Sequence, residues 1–164
     1  MSSIVNKHKI TTFSDSSMGQ TPNKLTLTVQ YISKLPEVPN RHQFREWVKV
    51  ALTESAEIVV RIVDQEEGQS LNQRFRGKPY PTNVLTFTYD DSLPLAGDIV
   101  LCAPVVISEA QEQHKSIEAH YAHLTIHGVL HLQGYDHETE SEAAIMEQIE
   151  SRLMIQIGYP DPYS

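Results

Sequence analysis

Residues 116 to 134, "SIEAHYAHLTIHGVLHLQG", leave a helix almost no face that suits water, and this segment limits the possible folds more than any other. Placed at 100° per residue, His120, His123, His127 and His131 share one stripe about 80° wide. Ala119, Ala122, Ile126, Val129 and Leu130 lie to one side of it, and Tyr121, Leu124, Gly128 and Leu132 to the other. A helix apolar on both flanks belongs in an interior, so the rest of the chain has to wrap around it. Gly134, which tolerates the left-handed conformation, ends it.

The remaining sequence supplies the wrapping. "LTLTVQYI", from Leu25, alternates apolar and polar residues and predicts a strand. In "NRHQFREWVKVALTES", Phe44, Trp47, Val48, Ala51 and Leu52 share one helical face, with Asn40 placed as the cap. "EIVVRIV", residues 57 to 63, is a β-branched run and predicts a central strand. Leu71 and Phe75 predict a short helix stopped by Gly77. "TNVLTFTY", 82 to 89, predicts a third strand, which Pro79 and Pro81 put at an edge, and "GDIVLC", 97 to 102, a fourth. A final helix opens at the capping box Thr139-x-x-Glu142 and carries Met146, Ile149, Leu153 and Ile157 on one face. Early alternation of strand and helix makes the first connection a parallel crossover. The expected fold is an α/β sandwich (α+β mixed): a four-stranded mixed sheet packed with helices, a histidine pair on a central buried helix, and a single domain over residues 25 to 164. Residues 1 to 24, polar and rich in Ser and Thr without a sustained period, are expected to form a flexible tail.

Composition narrows the function classes. With 164 residues, 40% hydrophobic and 21% charged, the chain is sized for one domain with a real core. No apolar run approaches the roughly 20 residues that span a bilayer, and the N-terminal stretch lacks the apolar middle of a secretory signal. The lone Cys102 allows no intrachain disulfide and reads as a small apolar side chain on a buried strand. These features fit a reducing, cytoplasmic setting and no membrane partner. The charge is uneven. Residues 1 to 103 balance 11 basic against 11 acidic side chains, whereas residues 104 to 164 carry 2 basic and 10 acidic and supply the whole net charge of −8. Such a chain is a poor coat for nucleic acid. Within the neutral part, however, residues 68 to 89 hold Arg74, Arg76 and Lys78 and no acid, which leaves room for a local anion site.

"HGVLHLQGYDH", residues 127 to 137, has the spacing of a zinc metalloprotease signature with one difference. The glutamate general base that follows the first histidine in those enzymes is Gly128 here. His127 and His131 are roughly 6 Å apart along the helix axis, a spacing from which both imidazoles reach one ion. Gly134 turns the chain back, and His137 closes a third corner. As ordinary core residues, four histidines in one stripe would need four hydrogen-bond partners in an apolar setting. Three imidazoles without a thiolate suit one Zn2+, while nickel, copper and iron remain open by ligand type. Structural zinc sites usually take four protein ligands, so a three-ligand site is expected to be catalytic. His120 and His123 either support the ligands, face a substrate, or bond only to backbone. Asp136, beside a ligand, reads as a turn aspartate or a hydrogen-bond acceptor.

At "HGVLHLQGYDH" the chain resembles the YbeY family of bacterial endoribonucleases and ribosomal RNA maturation factors. "SLNQRFRGKPYPTNVLTF", "GDIVLCAP" and "EAHYAHLTIHGVLH" carry the same resemblance, which covers roughly residues 25 to 158. It implies a single zinc on His127, His131 and His137 and a functionally important Arg76. It also implies action on single-stranded RNA, maturation of the 16S ribosomal RNA precursor at its 3′ end, and a part in ribosome quality control, with the small ribosomal subunit or ribosome as partner and no DNA.

That reading gives the glycine a chemical sense. Amide hydrolysis needs a base for the water and an acid for a poor leaving group, whereas phosphodiester cleavage must manage negative charge growing on an anionic phosphate. A metal ion and a bidentate guanidinium answer that need, which suits Arg76. On the bare sequence Arg76 reads first as a solvated charge at a helix end, and the resemblance reverses that order. Gly128 is expected to leave the approach to the metal open. His123 and Asp136 are the available candidates for a base, and the RNA's own 2′-hydroxyl is an alternative nucleophile to water. Two competing readings are a zinc protease or amidase and a non-catalytic ribosome-assembly factor with a structural zinc.

Overall fold

A computed structural model describes residues 23–89 and 94–164. Most of the expected tail, residues 1 to 22, lies outside the described residues. In chain order the elements are β1 (Leu25–Tyr31), α1 (Arg41–Ala51), β2 (Ala56–Val63), α2 (Gln65–Arg76), β3 (Val84–Thr88), β4 (Leu95–Cys102), α3 (Ala103–Glu112), α4 (Ile117–Leu132) and α5 (Glu140–Gln156).

The strands form one mixed sheet in the order β1-β2-β4-β3. β1 and β2 run parallel through the α1 crossover, β2 and β4 are parallel, and β3 pairs antiparallel with β4 as an edge strand. The expected central strand is therefore central and the proline-preceded strand is at an edge. One rung crosses the whole sheet, Val29 beside Val60, Val60 beside Ile99, and Ile99 beside Thr86.

Local chemistry sets the helix ends. Asn40 Oδ1 accepts from Gln43 N–H while the Gln43 side chain accepts from Asn40 N–H, a reciprocal cap at the start of α1. α1 then buries Phe44, Trp47, Val48 and Ala51, and Leu52 serves as its C-cap. Gly77 (φ 70°) closes α2, and Gly134 (φ 101°) turns the chain after α4. Thr139 caps α5 through Glu142 N–H.

α3 is a helix the sequence pattern did not single out. Val105, Val106 and Ile107 directly follow a β-branched strand and favour extension by propensity. Pro104 in the first helical turn, where no N–H is required, starts the helix instead, and burial of Ala103, Val106 and Ala110 holds it.

Alternate residues of β4 face opposite sides of the sheet, which positions everything else. Ile99 and Leu101 join the main core with α1, α4 and α5. Val100 and Cys102 join Leu85, Leu71 and Phe87 in a smaller cluster under α2. α4 and α2 thus cover opposite faces. Every residue of α4 from His120 to Leu132 is buried, and its neighbours are α1, α3, α5, β3 and β4. Truncating one of its leucines would cost about 2–5 kcal/mol.

Gly128 has a role that differs from the expected one. A Cβ built there would meet Ile99 Cγ2 at 3.1 Å and Thr86 Cγ2 at 3.3 Å. Position 128 therefore faces the sheet rather than the metal approach, and glycine is there because α4 lies close to the rung beneath it. A glutamate in that direction would point into Ile99 and Thr86.

Candidate metal centre

The stripe on α4 brings the three expected ligands together. Ring nitrogens of His127, His131 and His137 lie within 4.8 Å of one another, the first two residues buried and the third half-buried. Helical spacing places His127 Nε2 2.8 Å from His131 Nε2. The turn after Gly134 returns His137, whose ring centroid stands 4.9 Å from that of His131 and 5.5 Å from that of His127. Asp136 shapes this return, since its Oδ1 accepts from His137 N–H at 2.8 Å.

Hydrogen bonds fix which nitrogens carry the proton. His131 Nδ1 donates to the Tyr135 carbonyl at 2.9 Å, and His127 Nδ1 donates to Glu150 Oε2 at 3.2 Å. Both acceptors lack a proton to give, so both Nε2 atoms present lone pairs. Two lone pairs 2.8 Å apart repel unless a cation accepts them both. A proton is a poor occupant. Burial, then the neighbouring rings of His127 and His137, push His131 down to about 3. Burial likewise lowers His127, against the upward pull of Glu150. His137 Nε2 adds a buried ring nitrogen with no hydrogen-bond partner. Nitrogens about 2.0–2.1 Å from a tetrahedral zinc stand about 3.4 Å apart. The three residues fit a metal ion, and the donor set is the one that zinc and its neighbours in the first transition row accept.

Glu150 is the residue that sequence reasoning missed. It is 1% exposed, and its carboxylate receives His127 Nδ1–H, His123 Nε2–H and the Tyr163 hydroxyl, the last at 2.8 Å. Burial would raise its pKa, but the bonds from His123 and His127 outweigh that and hold it down to about 2. The signal was present. On α5, Glu150 falls between Met146, Leu153 and Met154 on the buried face, an acid at a core position. Tyr163, from the segment after α5, carried no such signal.

His123 therefore stands behind the ligands, bonded to Glu150 and 3.2 Å from the Tyr163 hydroxyl. His120 belongs to a separate group: its Nε2 donates to Glu109 Oε1 at 2.9 Å, and Asn83 Nδ2 donates to the same oxygen at 3.0 Å. A cavity of about 240 Å³ opens beside His127 and His137, with Glu150, Glu147, Met146, Ala143 and Tyr163 as its other walls. Arg76 is not among those walls. It is half-buried in the last turn of α2, with Nη1 3.2 Å from Oδ1 of the buried Asn72.

A buried helix that aims two imidazoles at one point, with a third returned by a glycine turn, makes this an α/β protein with a three-histidine cluster that could hold a metal ion. A family model described as Endoribonuclease YbeY matches residues 28–158. The chain is 60% identical over 140 residues to a protein named Endoribonuclease YbeY from Nitrosomonas europaea, covering 85% of each chain. It is 57% identical over 141 residues to one of the same name from Methylobacillus flagellatus, covering 86% of this chain and 95% of that one. The solution structure of TM1509 from Thermotoga maritima superposes with a TM-score of 0.52 at 25% identity, over 80% of this chain and 91% of that one. The chain belongs to the YbeY endoribonuclease family.

Proposed function

We propose that this protein is a zinc-dependent endoribonuclease specific for single strands, acting in 3′-end maturation of 16S ribosomal RNA and in ribosome quality control. Three ring nitrogens converging beside an open cavity are the observation that carries this reading. His127, His131 and His137 would hold the metal. When bound, that ion supplies Lewis acidity toward a phosphate oxygen and toward the attacking group.

The chain's own residues do the rest. Glu150 and the Tyr135 carbonyl hold the two helical imidazoles in the tautomer that leaves Nε2 unprotonated. A cavity of about 240 Å³ beside His127 and His137 supports a flexible strand, which can bend to present one phosphate, over a stiff duplex. Arg76 binds a phosphate oxygen of the strand through paired donors, a geometry an ammonium lacks. With ten acids in residues 104 to 164, the α4–α5 side offers nothing to the second backbone of a duplex. The reading as a protease loses support because the position of the protease base faces the sheet.

The test is cleavage of one labelled RNA, as single strand and as perfect duplex at equal salt, with and without chelator, beside a peptide substrate. Chelator-sensitive cleavage of the single strand alone is expected. Peptide hydrolysis would favour the protease, equal cleavage of both RNA forms would remove the strand specificity, and metal-replete protein inert on RNA would leave an assembly factor.

A further inference from the structure

Phe75 and Tyr80, at the end of α2 and in the loop behind it, are 49% and 53% exposed. Large aromatic side chains are ordinarily drawn inward, so two bare rings this close in sequence call for a reason. Arg74, Arg76 and Lys78 are interleaved with them. Among the described residues none of the three cations enters an ion pair, in a chain whose net charge is −8.

This is not a loose loop. Gly77 leaves the helix at φ 70° with its N–H on the Asn72 and Gln73 carbonyls. Gln69 Nε2 donates to the Pro79 carbonyl at 2.9 Å, and Asn72 Nδ2 donates to the Tyr80 carbonyl at 2.6 Å. Asn72, fully buried, also receives Arg76 Nη1. The Phe75 ring is braced edge-on by Phe87 of β3, centroids 5.0 Å apart, and the Arg74 guanidinium stands 5.5 Å from the Phe75 centroid. Basic residues in a last helical turn complement the helix dipole, which is enough to account for Arg74 and Arg76. It does not account for Lys78, which lies past the helix end, nor for two exposed rings, one braced by Phe87 and the other carried on a backbone tied to Asn72.

We propose that this face is a stacking platform for single-stranded RNA, with Phe75 and Tyr80 each taking a base and Arg74 and Lys78 neutralising phosphates between them. The inference rests on the endoribonuclease reading and specifies where that enzyme gains its affinity. Charge selects the occupant: three unpaired cations in an acid-free stretch suit a polyanion. The rings select the form, because a duplex keeps its bases stacked internally and leaves an exposed ring little to stack on, whereas an unpaired strand presents every base. β3 is an edge strand, so no further strand stands between this platform and the far side of the sheet, where α4 lies.

The experiment uses the metal-loaded protein and a fluorescein-labelled 12-nucleotide 2′-O-methyl RNA, read by anisotropy, as single strand and as perfect duplex. Phe75→Ala and Tyr80→Ala are each expected to weaken single-strand binding about fivefold or more, with metal content unchanged. Phe75→Trp, which keeps a ring there, is expected to bind at least as tightly as the native chain. If loss of the Phe87 contact lowers the melting temperature of Phe75→Ala, Tyr80→Ala and Phe75→Trp decide the matter. Unchanged affinity in Tyr80→Ala would overturn the platform, as would equal losses on single strand and duplex, which would mean charge alone. Native protein that neither binds the single strand nor cleaves the unmodified RNA would overturn the endoribonuclease reading itself.

Discussion

The histidine cluster and the basic turn after α2 lie on opposite faces of one sheet and are built on opposite terms. Around α4 every residue from His120 to Leu132 is buried, and the rings of His127 and His131 are tied to acceptors on the next helix and turn. Around the end of α2 the Phe75 and Tyr80 rings stand largely in water, while the turn beneath them is tied through Gln69 and Asn72. A small ion needs atoms held to fractions of an ångström, which a packed interior supplies. A polymer needs reach and charge, which an exposed face supplies. The division has a consequence for mutations: at the metal centre they should damage binding of the ion and the fold together, and at the basic turn they should damage RNA handling alone.

The strongest way to break that division is at α4. His131→Ala is expected to reduce cleavage by on the order of 10³-fold and to lower both metal content and melting temperature, because binding energy at a site built into a buried helix is shared with folding. Elemental analysis and thermal melts check it, and full metal content would sink it. Next comes Arg76→Ala, expected to cost about 10²-fold or more in cleavage, with metal content and melting temperature near native. Arg76→Lys should rescue poorly. A large drop in melting temperature would return Arg76 to a structural role and blur the two regions.

Glu150→Gln sharpens the comparison from inside the metal centre. The amide keeps the size of the carboxylate but loses its charge and one of its acceptor oxygens, so metal affinity is expected to fall about 10–100-fold by competition with a chromophoric chelator. Unchanged affinity would reduce the His123–Glu150–Tyr163 group to packing. The smallest effect is on acid stability of the metal-free protein. Burial and neighbouring rings lower His131 to about 3, so the folded state favours the neutral ring while the unfolded chain takes up a proton near 6.5. Its contribution is full above that value and is lost as pH falls from about 6.5 towards 3. Glu150, held at about 2, loses its contribution lower, from about 4.5 downward. Stability should therefore start to fall between pH 7 and 5, by up to about 1.4 kcal/mol per pH unit for each proton taken up, and the melting temperature should fall with it. A flat profile there would mean that His131 is protonated in the folded state.

Periodicity explains what the sequence disclosed. The three-histidine cluster was legible because two of its members are four apart on one helix, and the sheet because its strands differ in β-branching and in their flanking prolines. Glu150 was obscured because it comes from α5, in a half of the chain with ten acids, and nothing local says which acid folds back on α4. Its place among Met146, Leu153 and Met154 was the available sign. A change to helix after Pro104 was legible, but α3 was not set apart as an element because propensity over Val105–Ile107 favours extension and burial overrode it.

Gly128 began as a missing base and turned out to be a spacer between α4 and the rung formed by Ile99 and Thr86. This separates the chain from the metalloproteases whose spacing it shares by more than one letter. A glutamate at 128 would have to displace two buried neighbours before it could approach the metal, so the substitution that completes the protease pattern would first damage the fold. Ile99 and Thr86 would have to shrink beforehand, and neither change is of use alone. An evolving lineage would meet a valley between the two chemistries, and a designer who wants to cross it must begin at the sheet.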